Sequence, residues 1–135
     1  MIELASPQFD AGLVSNRAEA MIAFYTEVLG FPLGGSVEIP HVGTVTRVQV
    51  GNSVLRILAP LSPAAPQAEA PSFTATSGIR YVALKVRGLA GAVEKVAAAG
   101  CRISVPIRTL RPGVEVALVE DPDGNTIELM EESAP

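Results

Sequence analysis

The chain has 135 residues, 48% hydrophobic and 18% charged. That is the size of one domain, or of two small halves sharing one core, and the apolar content excludes disorder over most of its length. Ten basic against fourteen acidic residues give a net charge of −4; with no Trp and 4% aromatics this excludes nucleic acid as the expected partner.

The first element is a short strand in FDAGLV, with Phe9, Ala11 and Leu13 on one face. SNRAEAMIAFYTEVLG follows as a helix. Asn16 is its expected N-cap, with Glu19 three residues on as in a capping box. Met21, Phe24, Tyr25, Val28 and Leu29 form its apolar stripe; Gly30 ends it and Pro32 forbids continuation. Three strands are expected next, Leu33–Ile39, Thr44–Val50 and Val54–Leu58, the last two joined by the turn Gly51-Asn52-Ser53. Residues 59–78 carry four prolines (Pro60, Pro63, Pro66, Pro71) and no period, and read as a linker or long loop.

The order then repeats. Ile79–Val86 is a strand with Val82, Leu84 and Val86 on one face. LAGAVEKVAAAG is a helix with Leu89, Val93, Val96 and Ala97 inward and Gly100 past its end. Its N-cap is weak, since Gly88 offers no side-chain acceptor. CRISVPI, VEVALVE and NTIELME are three further strands, and the turn Asp121–Asn125 joins the last two. Each half reads βαβββ, with Leu13 matching Leu84, Gly30 matching Gly100, and Gly51-Asn52 matching Gly124-Asn125. The expected fold is α+β: two tandem βαβββ modules, a curved sheet around a cup-shaped pocket, and the helices outside. The expected domain is 1–135, with module one at about 8–58, the linker at 59–78 and module two at about 79–132.

Cys101 is the lone cysteine, so no internal disulfide forms; after a helix end, it reads as a small buried apolar group. MIELASPQFD has no basic region followed by an apolar one, and no run reaches about 18 apolar residues. A cytoplasmic protein that does not enter a membrane is the expectation. No phosphate-binding Gly loop, Ser-His-Asp arrangement or paired cysteines for zinc stand out.

AMIAFYTEVLGFPLG in the first half and ALVEDPDGNTIELMEE at the end resemble the vicinal oxygen chelate superfamily of glyoxalases, bleomycin-resistance proteins and extradiol dioxygenases. The resemblance runs from about Phe9 to Glu132 and rests on helix-packing and turn residues, which carry the fold and not the reaction. It implies the paired modules and the cup, and a homodimer. In the family's metal-dependent members, ligands come from the first and last strands of each module, mostly His, Glu and Gln. Counting from the shared motifs, those positions fall on Asp10, Arg56, Tyr81 and Glu128.

Only Glu128 is a typical ligand in that set. Arg56 has no lone pair to give and keeps its proton. Its charge at ~5 Å from a divalent ion, in an effective dielectric of ~20, is repelled by roughly 6–7 kcal/mol. The expectation is therefore no metal and no cofactor. Arg56 stands in the ion's place and neutralises Asp10 and Glu128, with the Tyr81 hydroxyl as a fourth partner. Strand alternation adds Arg47 and Gln49 beside Arg56, and Lys85 beside Tyr81. His41, in a loop expected over the cup, completes the candidate set. Each has a plainer reading: a structural ion cluster for Arg56, Asp10 and Glu128, a core ring for Tyr81, a solvated rim for Arg47, Gln49 and Lys85, and a surface loop for His41.

Three functions follow. The first is a metal-free binder of a small polar organic molecule, anionic or rich in carbonyl groups. The second is a metal-independent isomerase, hydrolase or lyase, with Glu128 as base, Tyr81 as acid and Asp10, Arg47, Gln49, Arg56, Lys85 and His41 holding the substrate. The third is a metal-dependent lyase, isomerase or dioxygenase of the same superfamily.

Overall fold

The computed structural model describes residues 1–133; the expected domain's residues 134 and 135 lie outside the described residues. The chain divides into two compact units, Met1–Pro66 and Gln67–Pro135. The first holds β1 (Ala11–Val14), α1 (Ala18–Ala23), β2 (Leu33–Ile39), β3 (Gly43–Val50) and β4 (Ser53–Pro60). The second holds β5 (Tyr81–Lys85), α2 (Leu89–Ala98), β6 (Ile103–Arg111), β7 (Val114–Glu120) and β8 (Thr126–Glu132). Each unit is one four-stranded sheet, ordered β1-β4-β3-β2 and β5-β8-β7-β6. The outer pairs β1/β4 and β5/β8 are parallel, and the helix of each unit carries the chain from that edge of the sheet to the opposite one, β1 to β2 and β5 to β6. The other pairs are antiparallel. This is the two-module α+β architecture that the repeat predicts.

In the first unit, α1 lies against β4. Met21, Phe24 and Tyr25 are buried with Val48, Leu55 and Ile57. The helix does not end at Ala23 but widens into a π-helical turn over Phe24–Val28, marked by the Leu29 amide bonding to the Phe24 carbonyl at 3.0 Å. Phe24 and Tyr25 are neighbours in sequence and both are buried, their rings edge to face at 5.1 Å. A π turn rotates less per residue than an α turn, which lets adjacent aromatics share one face.

Several sequence expectations are corrected at element ends. Asn16 does not cap α1: its side chain bonds the Ala64 backbone in both directions, at 2.9 and 2.8 Å, and the Ser15 hydroxyl accepts the Arg17 amide at 2.9 Å. Phe9 is outside β1 and 91% exposed. The reason is local: the Asp10 carboxylate takes the Val54 amide at 2.8 Å, where a longer strand would pair backbone to backbone. In α2, Leu89 and Val96 are buried, but Ala97 is exposed. β6 runs past Ile107 to Arg111, on an edge whose register shifts around Pro106, a residue with no amide to donate to the ladder. Cys101 is half-buried.

The acceptor that Gly88 lacks comes from β8. The Glu131 carboxylate accepts the Gly88 amide at 2.7 Å and the Leu89 amide at 3.1 Å. These two bonds hold its carboxyl below the usual range, Leu89's contributing most. Under α2, Val119, Ile127 and Leu129 close the core of the second unit. The Asp121–Asn125 turn is pinned by the buried Asp121, whose Oδ1 accepts the Asp123 amide at 3.0 Å and the Asn125 amide at 2.9 Å. No described helix is long and apolar enough to cross a membrane.

Candidate functional site

Each sheet has one face toward its helix and one away from it. In the first unit, Leu55 and Ile57 of β4 are buried on the helix side, so Val54, Arg56 and Leu58 take the open side. Register extends that face to Gly12 of β1 and Arg47 of β3, the direct partners of Arg56.

Arg56 turns toward Asp10: its Nη2 donates to Oδ2 at 3.1 Å. Gln8 Nε2 donates to the same carboxylate, at 3.0 Å to Oδ1. The Val54 amide is the largest influence holding the Asp10 carboxyl below its ordinary value; desolvation, the next largest, opposes it, and Gln8 and then Arg56 add to the lowering. The Arg56 side chain is 48% exposed and the Asp10 side chain 19%. Arg47 is exposed beside them and enters no ion pair among the described residues. Arg56 is thus paired with one carboxylate, and its register partner Arg47 with none, which leaves this face a positive excess.

The other first-unit candidates are spent differently. Gln49 Nε2 donates to the Gly51 and Ser53 carbonyls, at 2.7 and 3.1 Å, and fastens the β3–β4 turn. His41 lies exposed in the turn between β2 and β3, with a left-handed φ of 66°.

In the second unit, Ala83 of β5 pairs with Glu128 of β8, and Tyr81 lies one alternation away on the same face. Glu128 is half-buried and Tyr81 is 48% exposed. Neither side chain enters a hydrogen bond or ion pair among the described residues; the Tyr81 ring meets Phe73 edge to face at 5.6 Å. Of the four-membered cluster expected from the sequence, the bonded part is the Asp10–Arg56 pair. Lys85 pairs with Glu132 at 3.0 Å, in the open. Gln8, unmarked in the sequence reading, clamps Asp10 from two residues upstream; the period of two in QFD is the signal that would have found it.

The Asp10–Arg56 pair of the first unit is a poor seat for a divalent ion. Among the described residues, no group of three or more His, Cys, Asp or Glu side chains converges to hold one. At the position between Asp10 and the open face the donor set is a guanidinium, which brings hydrogens and not lone pairs.

The fold has many solved counterparts. The structure of SMU.1112c aligns with a TM-score of 0.76 at 22% identity, over 96% of this chain and all (100%) of that one. TnmS3, an antibiotic-binding protein from Streptomyces sp. CB03234, aligns with a TM-score of 0.67 at 24% identity, over 98% and 99% of the two chains. A glyoxalase I variant from Zea mays aligns with a TM-score of 0.74 at 18% identity, over 93% of this chain and 44% of the longer one. No curated protein matches the sequence. A family model, described as the Glyoxalase/Bleomycin resistance protein/Dioxygenase superfamily, matches residues 8–129. With that match covering nearly the whole of both βαβββ units, the chain belongs to the glyoxalase/bleomycin resistance protein/dioxygenase superfamily.

Proposed function

We propose that this protein binds a small polar organic anion on the open face of its first sheet, without a metal ion, and acts there as a binding protein. One observation carries the reading. Arg47 and Arg56 are direct register partners; among the described residues Arg56 pairs with one carboxylate, Asp10, and Arg47 with none. An exposed guanidinium with free donors binds carboxylates and phosphates in two-point contacts. The antibiotic-binding neighbour on the same fold lends support by analogy alone.

Native mass spectrometry on gently purified protein, with elemental analysis of the same sample, tests it. The expected species carries a bound organic mass and no stoichiometric metal. Near-stoichiometric Mn, Ni, Zn or Fe would overturn the metal-free reading and bring forward a metal-dependent lyase, isomerase or dioxygenase. Arg56→Leu is expected to weaken the recovered ligand at least ~tenfold, the cost of removing a charged hydrogen-bond donor.

A second reading is a metal-independent isomerase, hydrolase or lyase. Its support is the Glu128 and Tyr81 pair on one face, both side chains uncommitted to hydrogen bonds or ion pairs among the described residues. Turnover of small acids or ketones that disappears in Glu128→Gln would establish it; binding without turnover would dismiss it. A homodimer belongs to the proposal as well. All seven residues of β2 are exposed, with Leu33, Val37 and Ile39 among them, and a second copy would cover that edge.

A further inference from the structure

Arg80, just before β5, is the least explained charge in the second unit. Its Nε is buried and meets no hydrogen-bond partner among the described residues. It forms no ion pair there either. A buried guanidinium N–H without an acceptor is costly, and its usual remedy is an anion or an ordered water.

The surroundings favour an anion with an apolar body. The segment before β5 curls on itself, with the Ala75 amide bonded to the Ser72 carbonyl at 3.1 Å. Together with the start of β5 it encloses an open recess of about 370 Å³, with Arg80 in its wall. Thr76 and Ser77 bring hydroxyl groups to that wall, and Phe73, Ile79 and Tyr81 bring apolar surface. No acidic residue lines it. Ile79 is 94% exposed, an apolar side chain with nothing packed on it. Arg80 also borders a second recess of about 230 Å³ that contains Glu69, Glu120 and Asp123. None of these carboxylates pairs with Arg80; Glu120 lies 3.3 Å from Arg102 instead.

We propose that the recess bounded by Phe73, Ile79, Arg80 and Tyr81 binds a small organic acid with a flat apolar body. Arg80 and the neighbouring hydroxyls take the carboxylate, and Phe73, Ile79 and Tyr81 cover the ring or chain. The site is built from the second unit alone and does not depend on Arg56. It makes residues 73–81 part of a binding surface and not a spacer.

The test is a nuclear magnetic resonance titration of the full chain with benzoate, benzamide and acetate, followed through backbone amides and the arginine Nε–H signals. Benzoate is expected to move the Arg80 Nε–H signal and the amides of Phe73, Ile79 and Tyr81 in a saturable way. Benzamide, uncharged, and acetate, without the apolar body, are each expected to bind at least ~tenfold more weakly. Arg80→Gln should remove the saturable benzoate shifts at Phe73, Ile79 and Tyr81. Ile79→Glu sets a repelling charge at the rim of the same recess. Its parent side chain packs on nothing, so that variant must also lose binding while staying folded. Shifts confined to Arg47 and Arg56 would overturn this site and leave the proposal for the first sheet standing. No saturable shift, equal binding of benzamide, or benzoate binding retained in both Arg80→Gln and Ile79→Glu would overturn it outright.

Discussion

Asp10 shows how one side chain does two jobs in this fold. Its carboxylate ends the β1–β4 ladder by taking the Val54 amide, and it holds Arg56 at 3.1 Å. Because those bonds keep its carboxyl below the ordinary value, Asp10 binds fewer protons folded than unfolded just below that value. Its contribution to stability is therefore present above the unfolded value and is lost as pH falls through the folded one. Asp10→Asn is expected to flatten the acid limb of stability below about pH 4 and leave its slope near neutrality unchanged. Urea denaturation of both proteins from pH 2.5 to 6 checks this; parallel curves across that range would refute it. Gly43 is another position where one atom decides. Its φ of +146° disfavours any side chain, and a Cβ there would overlap the Ala59 carbonyl oxygen and lie 3.0 Å from Pro60 Cα. Backbone strain of about 1–3 kcal/mol and a steric overlap of similar size predict that Gly43→Ala destabilises by at least about 2 kcal/mol. Chemical denaturation measures it directly.

At the scale of elements, the two helices divide cleanly between what the sequence displays and what it conceals. The stripe Met21, Phe24, Tyr25 marked the buried face of α1, and Leu89 and Val96 marked that of α2, because apolar spacing is a local property. The caps were another matter. Asn16 has the right chemistry and position for a cap, yet the Ala64 backbone claims it from 48 residues away. Gly88 has no capping side chain, yet Glu131 supplies one from 43 residues on. A cap donated by a strand leaves no local trace. The same holds at the candidate site: alternation put Arg47 beside Arg56, whereas the fastening of Gln49 to its own turn and the isolation of Arg80 depend on where chains cross. Glu131→Gln tests the distant cap. It keeps one acceptor but removes the charge at the helix N-terminus, so thermal stability should fall, and Glu131→Ala should lower it further. Since folding depresses the Glu131 carboxyl, the wild-type advantage over Glu131→Gln is expected at neutral pH and should fade as pH drops below its ordinary range. An advantage that grew on acidification would contradict the capping role.

For the molecule as a whole, the connection between the two sheets is the weakest stretch of chain in mechanical terms. From Leu61 to Arg80 there is no helix or strand, and most residues are exposed. The segment is nonetheless tied at both ends. Asn16 grips Ala64 with two hydrogen bonds inside the first unit, and Phe73 stacks edge-on against Tyr81 inside the second. Between those ties, residues 65–72 make no hydrogen bond to either sheet. A protease must draw a stretch of chain into its active-site cleft, so exposure alone does not define a cut; freedom from such anchors does. Brief treatment with elastase, which cuts after small residues but not before proline, is expected to nick first within 65–72 after Ala68, since Ala65 and Ala70 each precede a proline. Chymotrypsin has Leu61 and Phe73 as its sites in this region, both beside an anchor, and should act more slowly. If an organic acid fills the recess against Phe73 and Arg80, saturating benzoate should slow the elastase cut from the Phe73 side and leave cleavage elsewhere unchanged. Mass spectrometry of the early fragments reads both results. A first cut inside either four-stranded sheet would mean that the ladders open before the connection does, and the division into two compact units would not describe how the protein comes apart.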